Sequence, residues 1–250
     1  MGSSLRYSAF IQLYQKFYTW LLPYHCILCR AYCTRKQDLC EDCHAGLPVI
    51  THACPRCAQV MTTPGLACGT CLSKQPPFDV THALYLYQEP ISNLILNLKF
   101  QHTLVNARIL GELLLLKIQS DWYSEKPLPE VIIPIPLHAT RLKERGFNQA
   151  LEIARPIAHS LDLPIDYTSC ARQQATLAQA TLHPKERKQN IKNAFQIVKP
   201  LPYRHIAVID DVITTGHTIN EFCKTVKKAG VQQIDVWCCA RPAAKAPWIF

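Results

Sequence analysis

Residues 205–218 read HIAVIDDVITTGHT. The apolar, β-branched start of this stretch predicts a buried strand, which ends at two adjacent acids, Asp210 and Asp211. A loop of threonines and glycine follows, and residues 218–229 then have the pattern of an amphipathic helix that ends at Gly230. A strand that passes through a short loop into a helix is typical of an α/β fold built on a parallel sheet.

The chain from residue 78 onward alternates between apolar runs and helical patterns. Because helices separate the strands, we expect a parallel sheet with helices on both faces, of the kind found in α/β domains. The predicted strands are 79–87, 130–135, 165–169, 205–210 and 234–240, and the predicted helices are 90–99, 104–119, 147–160 and 218–229.

The amino-terminal part of the chain is rich in cysteine. Nine of the 13 cysteines fall between Cys26 and Cys71, and a pattern of two CxxC pairs recurs after 28 positions. A disulfide scaffold would require an exported protein, and the first residues do not have the pattern of a signal peptide. The spacing therefore predicts metal binding.

Each repeat supplies four thiolates, which can surround one tetrahedral Zn²⁺ in a closed, structural site. A crossed arrangement, in which each ion takes one CxxC pair from each repeat, stays open as an alternative. We interpret Cys33 as a spare thiol and the four cysteines after residue 78 as core residues. The predicted ligands are Cys26, Cys29, Cys40 and Cys43 for one zinc ion and Cys54, Cys57, Cys68 and Cys71 for the other.

The composition, 48% apolar and 18% charged, indicates a globular protein. The formal net charge is +9; eight thiolates add −8 and two Zn²⁺ add +4, which leaves +5. A basic protein is compatible with phosphate or nucleic acid as a partner. The sequence contains no apolar run long enough for a transmembrane helix, so we expect a soluble, cytoplasmic protein.

We predict three parts: an amphipathic helix within residues 1–24, a double CxxC zinc module at 25–73, and an α/β domain at 78–242. The apolar and aromatic side chains of residues 5–22 recur at helical spacing. Packing on the rest of the protein is the simpler interpretation of this helix. Contact with a membrane surface or with a partner is the alternative.

The loop after Asp211 has the chemistry of a phosphate site. Its backbone N–H groups and the start of the following helix form a concave anion site, and the threonines add hydroxyl donors. Two acids beside a phosphate alone would repel it, whereas carboxylates can accept hydrogen bonds from sugar hydroxyls. The pattern therefore predicts a ligand in which a phosphate is attached to a ribose. The predicted binding residues are Asp210, Asp211, Thr214, Thr215, Gly216, His217 and Thr218.

This segment resembles the 5-phosphoribosyl-1-pyrophosphate (PRPP) signature of type I phosphoribosyltransferases. With the double CxxC module, the RGFNQ motif at Arg145–Gln149 and the segment from Arg172 to Phe195, the chain is similar to the ComF (competence protein F) family over residues 24–240. The resemblance implies a type I phosphoribosyltransferase-like sheet preceded by a small zinc module with four-cysteine sites, and PRPP bound together with Mg²⁺. His217 departs from the small residue expected at its position.

Three cations, Arg141, Lys143 and Arg145, follow the apolar run that ends at Pro136. The resemblance implies that the loop after this strand faces the pyrophosphate of PRPP. Ligands of open α/β sheets bind at the carboxyl ends of the strands, which favours anion binding here over a solvated basic loop. The resemblance also places a flexible loop near residues 172–193, which could cover PRPP or line a groove for a nucleic-acid strand. A plain solvated surface is the alternative to DNA contact for the candidate residues, which are Lys99, Phe100, Arg145, Asn148, Gln149, Arg172 and Arg187.

The resemblance implies a role in DNA uptake during natural transformation. In this interpretation the protein binds PRPP or a ribose 5-phosphate, handles single-stranded DNA and works with a competence helicase or another uptake protein. An active phosphoribosyltransferase in nucleobase or nucleotide salvage is the alternative, and a PRPP sensor without turnover is a third hypothesis. The sequence shows no residue that would select an acceptor base, so catalysis stays open.

Overall fold

The computed structural model describes residues 24–33, 37–174 and 193–243. The predicted helix at 5–22 and the residues from 175 to 192, which include Arg187, lie outside the described residues. The chain divides into two compact units, Met1–Leu47 and Pro48–Phe250. The boundary falls between the two cysteine groups, so the second group belongs to the same unit as the sheet.

The first unit contains the short helix α1 (Glu41–Ala45). The second contains the short helix α2 (Gly69–Ser73) and four parallel strands: β1 (Val80–Leu86), β2 (Val131–Pro134), β5 (His205–Val212) and β6 (Gln233–Arg241). Their order across the sheet is β1-β6-β5-β2. The parallel sheet confirms the predicted α/β class.

Helices cover both faces of the sheet. On one face, helix α7 (His217–Lys228) buries Phe222 and Val226 against Val208 of β5 and Val236 of β6. The opposite face carries α3 (Ile91–Gln101), α4 (Leu104–Lys117) and α6 (Gln149–Leu161). A π-helical turn, Ile118–Trp122, extends α4. Side chains alternate along a strand, so the two faces of β5 belong to different helical layers.

Gly111 allows helices α4 and α6 to approach closely. A methyl group added there would overlap the carbonyl oxygen of Ile153 and would lie 2.5 Å from Cγ of Pro156. Pro156 lies inside α6, where its missing N–H group removes one helical hydrogen bond. Helices α4 and α6 therefore pack against each other at Gly111 and Pro156, two residues with low helix propensity.

The strand predicted at 165–169 is wrong for most of its length. Only Ile165 forms a bridge, to Ile132 at the outer edge of β2. The regular strand begins later, as β3 (Cys170–Arg172), and pairs antiparallel with β4 (Phe195–Ile197) in a separate two-stranded sheet. This pairing joins segments far apart in the sequence, which local apolar patterning does not reveal.

The outer edge of β1 is also covered. Leu86 donates its backbone N–H to Pro48, and Ile50 donates to Leu84, at 2.8 and 3.0 Å. Residues 48–50 thus run antiparallel to the edge strand. No helix within the described ranges has both the length and the apolarity that crossing a bilayer requires.

Candidate functional site

A cleft of about 600 Å³ opens at the carboxyl end of the sheet. It lies between the segments that follow β2 and β5, two adjacent strands whose following helices cover opposite faces. Ligands of open α/β sheets bind at such a switch point. Four cations line the cleft, together with the acids Glu144, Asp210 and Asp211: Lys99, Arg141, Arg145 and Arg172.

The loop from Val212 to Gly216 forms one wall of the cleft. Gly216 has a φ of 75°, a left-handed conformation that glycine adopts without strain, and it directly precedes α7. Thr214 and Thr215 are exposed to the cleft. The first N–H groups of a helix have no carbonyl partner within that helix, so the loop and the start of α7 present donors to an anion. His217 also lines the cleft, as the first residue of α7.

Asp210 and Asp211 point to opposite faces of β5, as consecutive residues of a strand must. Asp210 lies on the side of α7, and one of its carboxylate oxygens accepts the backbone N–H of Asp211 at 2.9 Å. Burial and the neighbouring Asp211 carboxylate raise the pKa of Asp210 well above its ordinary value, although Lys99 opposes the shift. The environment of Asp210 therefore disfavours its charged form.

Asp211 is buried, and both of its carboxylate oxygens are engaged. One forms an ion pair with the ammonium group of Lys99, and the other accepts a hydrogen bond from Gln149 Nε2 at 3.3 Å. Burial lowers the pKa of Lys99, but the attraction and hydrogen bond of Asp211, together with the charge of Asp210, outweigh burial, so the pKa of Lys99 is raised. Arg145 extends this chain by donating to Gln149 Oε1 at 2.5 Å.

The basic segment after β2 is a helix, α5 (Ala139–Arg145), and not the predicted loop. Arg141 and Arg145 are one helical turn apart and both line the cleft, whereas Lys143 is exposed and is not part of the lining. A loop is what the family resemblance implied for this segment. The helix signal was present in His138, whose side chain caps the helix, and in Gly146, which ends it at a φ of 75°.

Several residues predicted to contact DNA have partners inside the protein. Asn148 caps α6 through Ala150 and donates to the carbonyl of Ile135, at 3.0 and 2.9 Å. The guanidinium carbon of Arg172 lies 5.5 Å from the centre of the Phe195 ring. Phe100, in contrast, is 69% exposed at the mouth of the cleft, with the Arg145 guanidinium 6.0 Å from its ring.

Tyr87 and His102 are among the cleft-lining residues that sequence reasoning missed. Tyr87 directly follows β1, so the rule that ligands bind at the carboxyl ends of strands could have indicated it. His102 ends α3 in a left-handed conformation with a φ of 56°. Nothing in the local sequence marks it as part of a site.

The structure brings the eight predicted cysteine ligands together in two groups of four. Within each group the sulfur atoms all lie within 4.8 Å of one another, and the grouping is sequential and not crossed. Cys29 and Cys40, and likewise Cys57 and Cys68, have sulfurs 3.6 Å apart. Tetrahedral Zn²⁺ with bonds of about 2.3 Å requires sulfurs about 3.8 Å apart. Both groups therefore fit zinc.

The 28-residue repeat holds at the level of single hydrogen bonds. In the first knuckle the N–H of Arg30 donates to the carbonyl of Cys26, and in the second that of Ala58 donates to Cys54. Arg30 and Ala58 both have left-handed backbones, with φ values of 64° and 53°. Cys33 is buried but belongs to neither group, which agrees with a spare thiol.

Two kinds of sequence comparison identify relatives of the chain. Residues 17–72 match the family model of the double zinc ribbon domain. Competence protein F of Haemophilus influenzae is 37% identical over 223 residues, which cover 87% of this chain and 97% of that protein. DNA utilization protein YhgH of Salmonella typhi is 34% identical over 222 residues, 88% of this chain and 98% of that one.

Among solved structures, the purine phosphoribosyltransferase of Pyrococcus horikoshii matches with a TM-score of 0.32 and 19% identity, covering 56% of this chain and 78% of that one. Hypoxanthine-guanine phosphoribosyltransferase of Leishmania donovani matches with a TM-score of 0.34 and 11% identity, covering 59% and 82%. These likenesses are distant, and the assignment rests on the sequence relatives. Because the chain is 37% identical to a competence protein F over nearly the full length of that protein, and carries a double zinc ribbon, it belongs to the ComF (competence protein F) family.

Proposed function

We propose that this chain is a DNA-uptake protein that binds PRPP or another ribose 5-phosphate in the cleft and handles single-stranded DNA. The observation that carries the ligand assignment is the placement of Asp210 beside the loop that leads into α7. An acid and an anion site are adjacent there. A phosphate joined to a sugar satisfies both, because its hydroxyl groups can donate to the acid.

Each part of the cleft has a task in this proposal. The phosphate lies against the exposed Thr214 and Thr215 and the first turn of α7, whose N–H groups point toward it. A ribose hydroxyl donates to Asp210. Arg141 and Arg145 also line the cleft, and their guanidinium groups meet the negative charge of a pyrophosphate.

Asp211 acts in a different way from Asp210. Its oxygens are bound by Lys99 and Gln149, so it positions these two side chains and does not contact the sugar. Mg²⁺ bound with PRPP would be held by the pyrophosphate and by Asp210, and it would neutralise charge on the pyrophosphate. Asp211 thus holds the side chains of Lys99 and Gln149 in place at the cleft.

The role in DNA uptake is supported by the relatives. Proteins named competence protein F and DNA utilization protein share 34–37% identity with this chain over most of its length. The competence protein ComFC of Streptococcus pneumoniae is 27% identical over 81% of the chain. The basic net charge of the chain also suits a protein that handles DNA.

Calorimetric titration with ribose 5-phosphate and with PRPP tests the ligand assignment. Asp210→Asn removes the charged acceptor but keeps the shape, so we expect about tenfold to hundredfold weaker binding of both ligands. Asp121→Asn is the matched control, since Asp121 is an exposed acid outside the cleft, and its affinity should equal that of the wild type. Equal affinity of the Asp210 variant would refute the assignment.

An active phosphoribosyltransferase is the second candidate. The cleft favours it in one respect: the space continues past the phosphate loop to Tyr87, Phe100 and His102, where an acceptor would fit. Pyrophosphate release from PRPP and Mg²⁺, measured with a panel of nucleobases, decides between turnover and binding alone.

A further inference from the structure

A second concave surface lies at the opposite end of α7 from the cleft. It encloses about 710 Å³ between the second zinc ribbon, residues 75–79 and the last turn of the helix. A smaller hollow of about 360 Å³ adjoins it and shares Lys224 and Lys228. We call the two together the basic groove. The first turn of α7 lines the cleft, whereas residues from Glu221 onward line the groove, so the two sites use successive parts of one helix.

The charge of the basic groove is predominantly positive. Its lining contains four cations, Arg56, Lys224, Lys227 and Lys228, against the acids Asp79 and Glu221. Lys227 is already bound, to Asp79 at 3.2 Å and to the carbonyl of Gln232. Lys224 lies 3.5 Å from Glu221 and remains 53% exposed. Within the described ranges neither Arg56 nor Lys228 has an ion-pair partner.

Helix stability explains only part of this cluster. Lysines in the last turn of a helix interact favourably with its carbonyl end, which accounts for Lys227 and Lys228. It does not account for Arg56, which lies between the zinc ligands Cys54 and Cys57 and faces the same groove from another element. Cations from two separate elements that converge on one concavity indicate a bound anion.

The spacing of the cations indicates a ligand with several phosphates. Lys224 and Lys228 are four residues apart, which places them about 6 Å apart along the helix axis, and Arg56 lies across the groove from them. A single phosphate would meet one or two of these groups, whereas a chain of phosphates can meet all three. Both hollows of the basic groove are also open to solvent, so an extended chain of phosphates can lie along them.

We infer that Arg56, Lys224 and Lys228 bind the phosphodiester backbone of a single nucleic-acid strand in the basic groove. This inference rests on the DNA-handling part of the proposed function and places the strand away from the cleft. Contacts of this kind hold a strand without reading its sequence. The second zinc ribbon then contributes Arg56 to the site, in addition to its structural role.

The test is fluorescence anisotropy with a labelled oligothymidylate at several salt concentrations. The triple variant Arg56→Gln, Lys224→Ala, Lys228→Ala should bind at least tenfold more weakly. In a plot of the logarithm of the binding constant against the logarithm of salt concentration, the slope for this variant should be less negative by about 2. Each lost phosphate contact changes that slope by about 0.7. Zinc content and affinity for ribose 5-phosphate should stay at the wild-type level, which shows that both the ribbon and the cleft are intact.

The matched control is Arg155→Gln, Lys117→Ala, Lys126→Ala, which removes the same charge outside the groove. If the control loses as much affinity as the groove variant, net charge alone explains binding and the inference fails. If wild type and groove variant bind the strand equally, the site lies elsewhere, although DNA handling survives. If the wild type does not bind the strand at all, the DNA part of the proposed function fails as well.

A chain of phosphates could also be inorganic polyphosphate. The same titration with polyphosphate of equal phosphate number separates the two sources. Tighter binding of the oligothymidylate by the wild type, lost in the groove variant, supports a nucleic-acid strand. Tighter binding of polyphosphate overturns that assignment.

Discussion

Asp210 is an acid whose environment disfavours its charge. Burial and the neighbouring Asp211 raise its pKa well above the ordinary value. A carboxyl whose pKa is higher in the folded than in the unfolded state binds protons more readily when folded. Its contribution to stability is fully present below the unfolded pKa and is lost as pH rises through the folded pKa. Wherever the pH is high enough to ionise Asp210 in the folded protein, this contribution is absent.

The variant Asp210→Asn should for this reason be more stable than the wild type, by about 1 kcal/mol, at a pH high enough to ionise Asp210, while it binds ribose phosphates more weakly. The amide oxygen can still accept the N–H of Asp211. Urea unfolding with zinc in excess measures the difference, which should shrink as pH falls and Asp210 in the wild type becomes protonated. A variant less stable than the wild type would contradict this account of the carboxylate.

Sequence reasoning at this scale indicated a loop that lines the cleft, but not the contacts that its acids make inside the protein. The paired aspartates and the threonine-glycine turn are contiguous, so their proximity is fixed by the chain. The ion pair between Lys99 and Asp211 joins residues 112 positions apart, and the link from Gln149 to Asp211 spans 62. Such pairs depend on how helices dock on the sheet, which no local pattern reports.

At the scale of the secondary-structure elements, the close packing of α4 on α6 requires glycine at position 111. In an exposed helix, replacement of glycine by alanine stabilises by about 1 kcal/mol. At Gly111 the added methyl group meets the carbonyl of Ile153 and the ring of Pro156. Because a backbone carbonyl cannot move aside as a side chain can, the overlap should outweigh the gain in helix propensity.

We therefore expect Gly111→Ala to destabilise the protein by about 1–3 kcal/mol, as overpacked cores usually do. Gly69→Ala in α2 is the matched control, since an added methyl group there has no atom within 4 Å and should be neutral or slightly stabilising. Urea unfolding midpoints compare the two. Equal midpoints for both variants would mean that the helices separate without strain.

Most elements of the sheet unit could be predicted, since periodic apolar runs mark them. Helix α5 was missed because the family resemblance implied a loop there, and capping by histidine is an uncommon signal. The antiparallel pair β3–β4 was missed because Cys170 and Ile197 meet only in the folded chain. Local patterning thus identifies elements but not the partners of short strands.

At the scale of the whole molecule, the zinc ions should stabilise part of the sheet as well as the two ribbons that bind them. The second ribbon contacts the sheet unit through Cys57, which packs against its core, and through Gln59, which accepts a hydrogen bond from Arg241 at 3.2 Å. Structural zinc contributes on the order of 10 kcal/mol to the folding of small ribbons. Its removal should therefore unfold both ribbons and loosen the end of β6.

Hydrogen exchange measured by mass spectrometry before and after chelation checks this. Exchange should rise across residues 24–33 and 37–74 and at the carboxyl end of β6, while β5 in the centre of the sheet stays protected. A chelator already saturated with zinc is the control and should change nothing. Unchanged protection of residues 54–71 after zinc is lost would show that the ribbon folds without metal.

The pairing of residues 48–50 with β1 has a practical consequence. The sequence suggests cutting the chain at the prolines before residue 78, but that cut would strip the covering strand from the sheet margin and expose unsatisfied amide and carbonyl groups. Bare margins of this kind recruit other chains and promote aggregation. Anyone who wishes to express the α/β domain alone should therefore begin no later than Pro48 and accept one zinc ribbon as part of it.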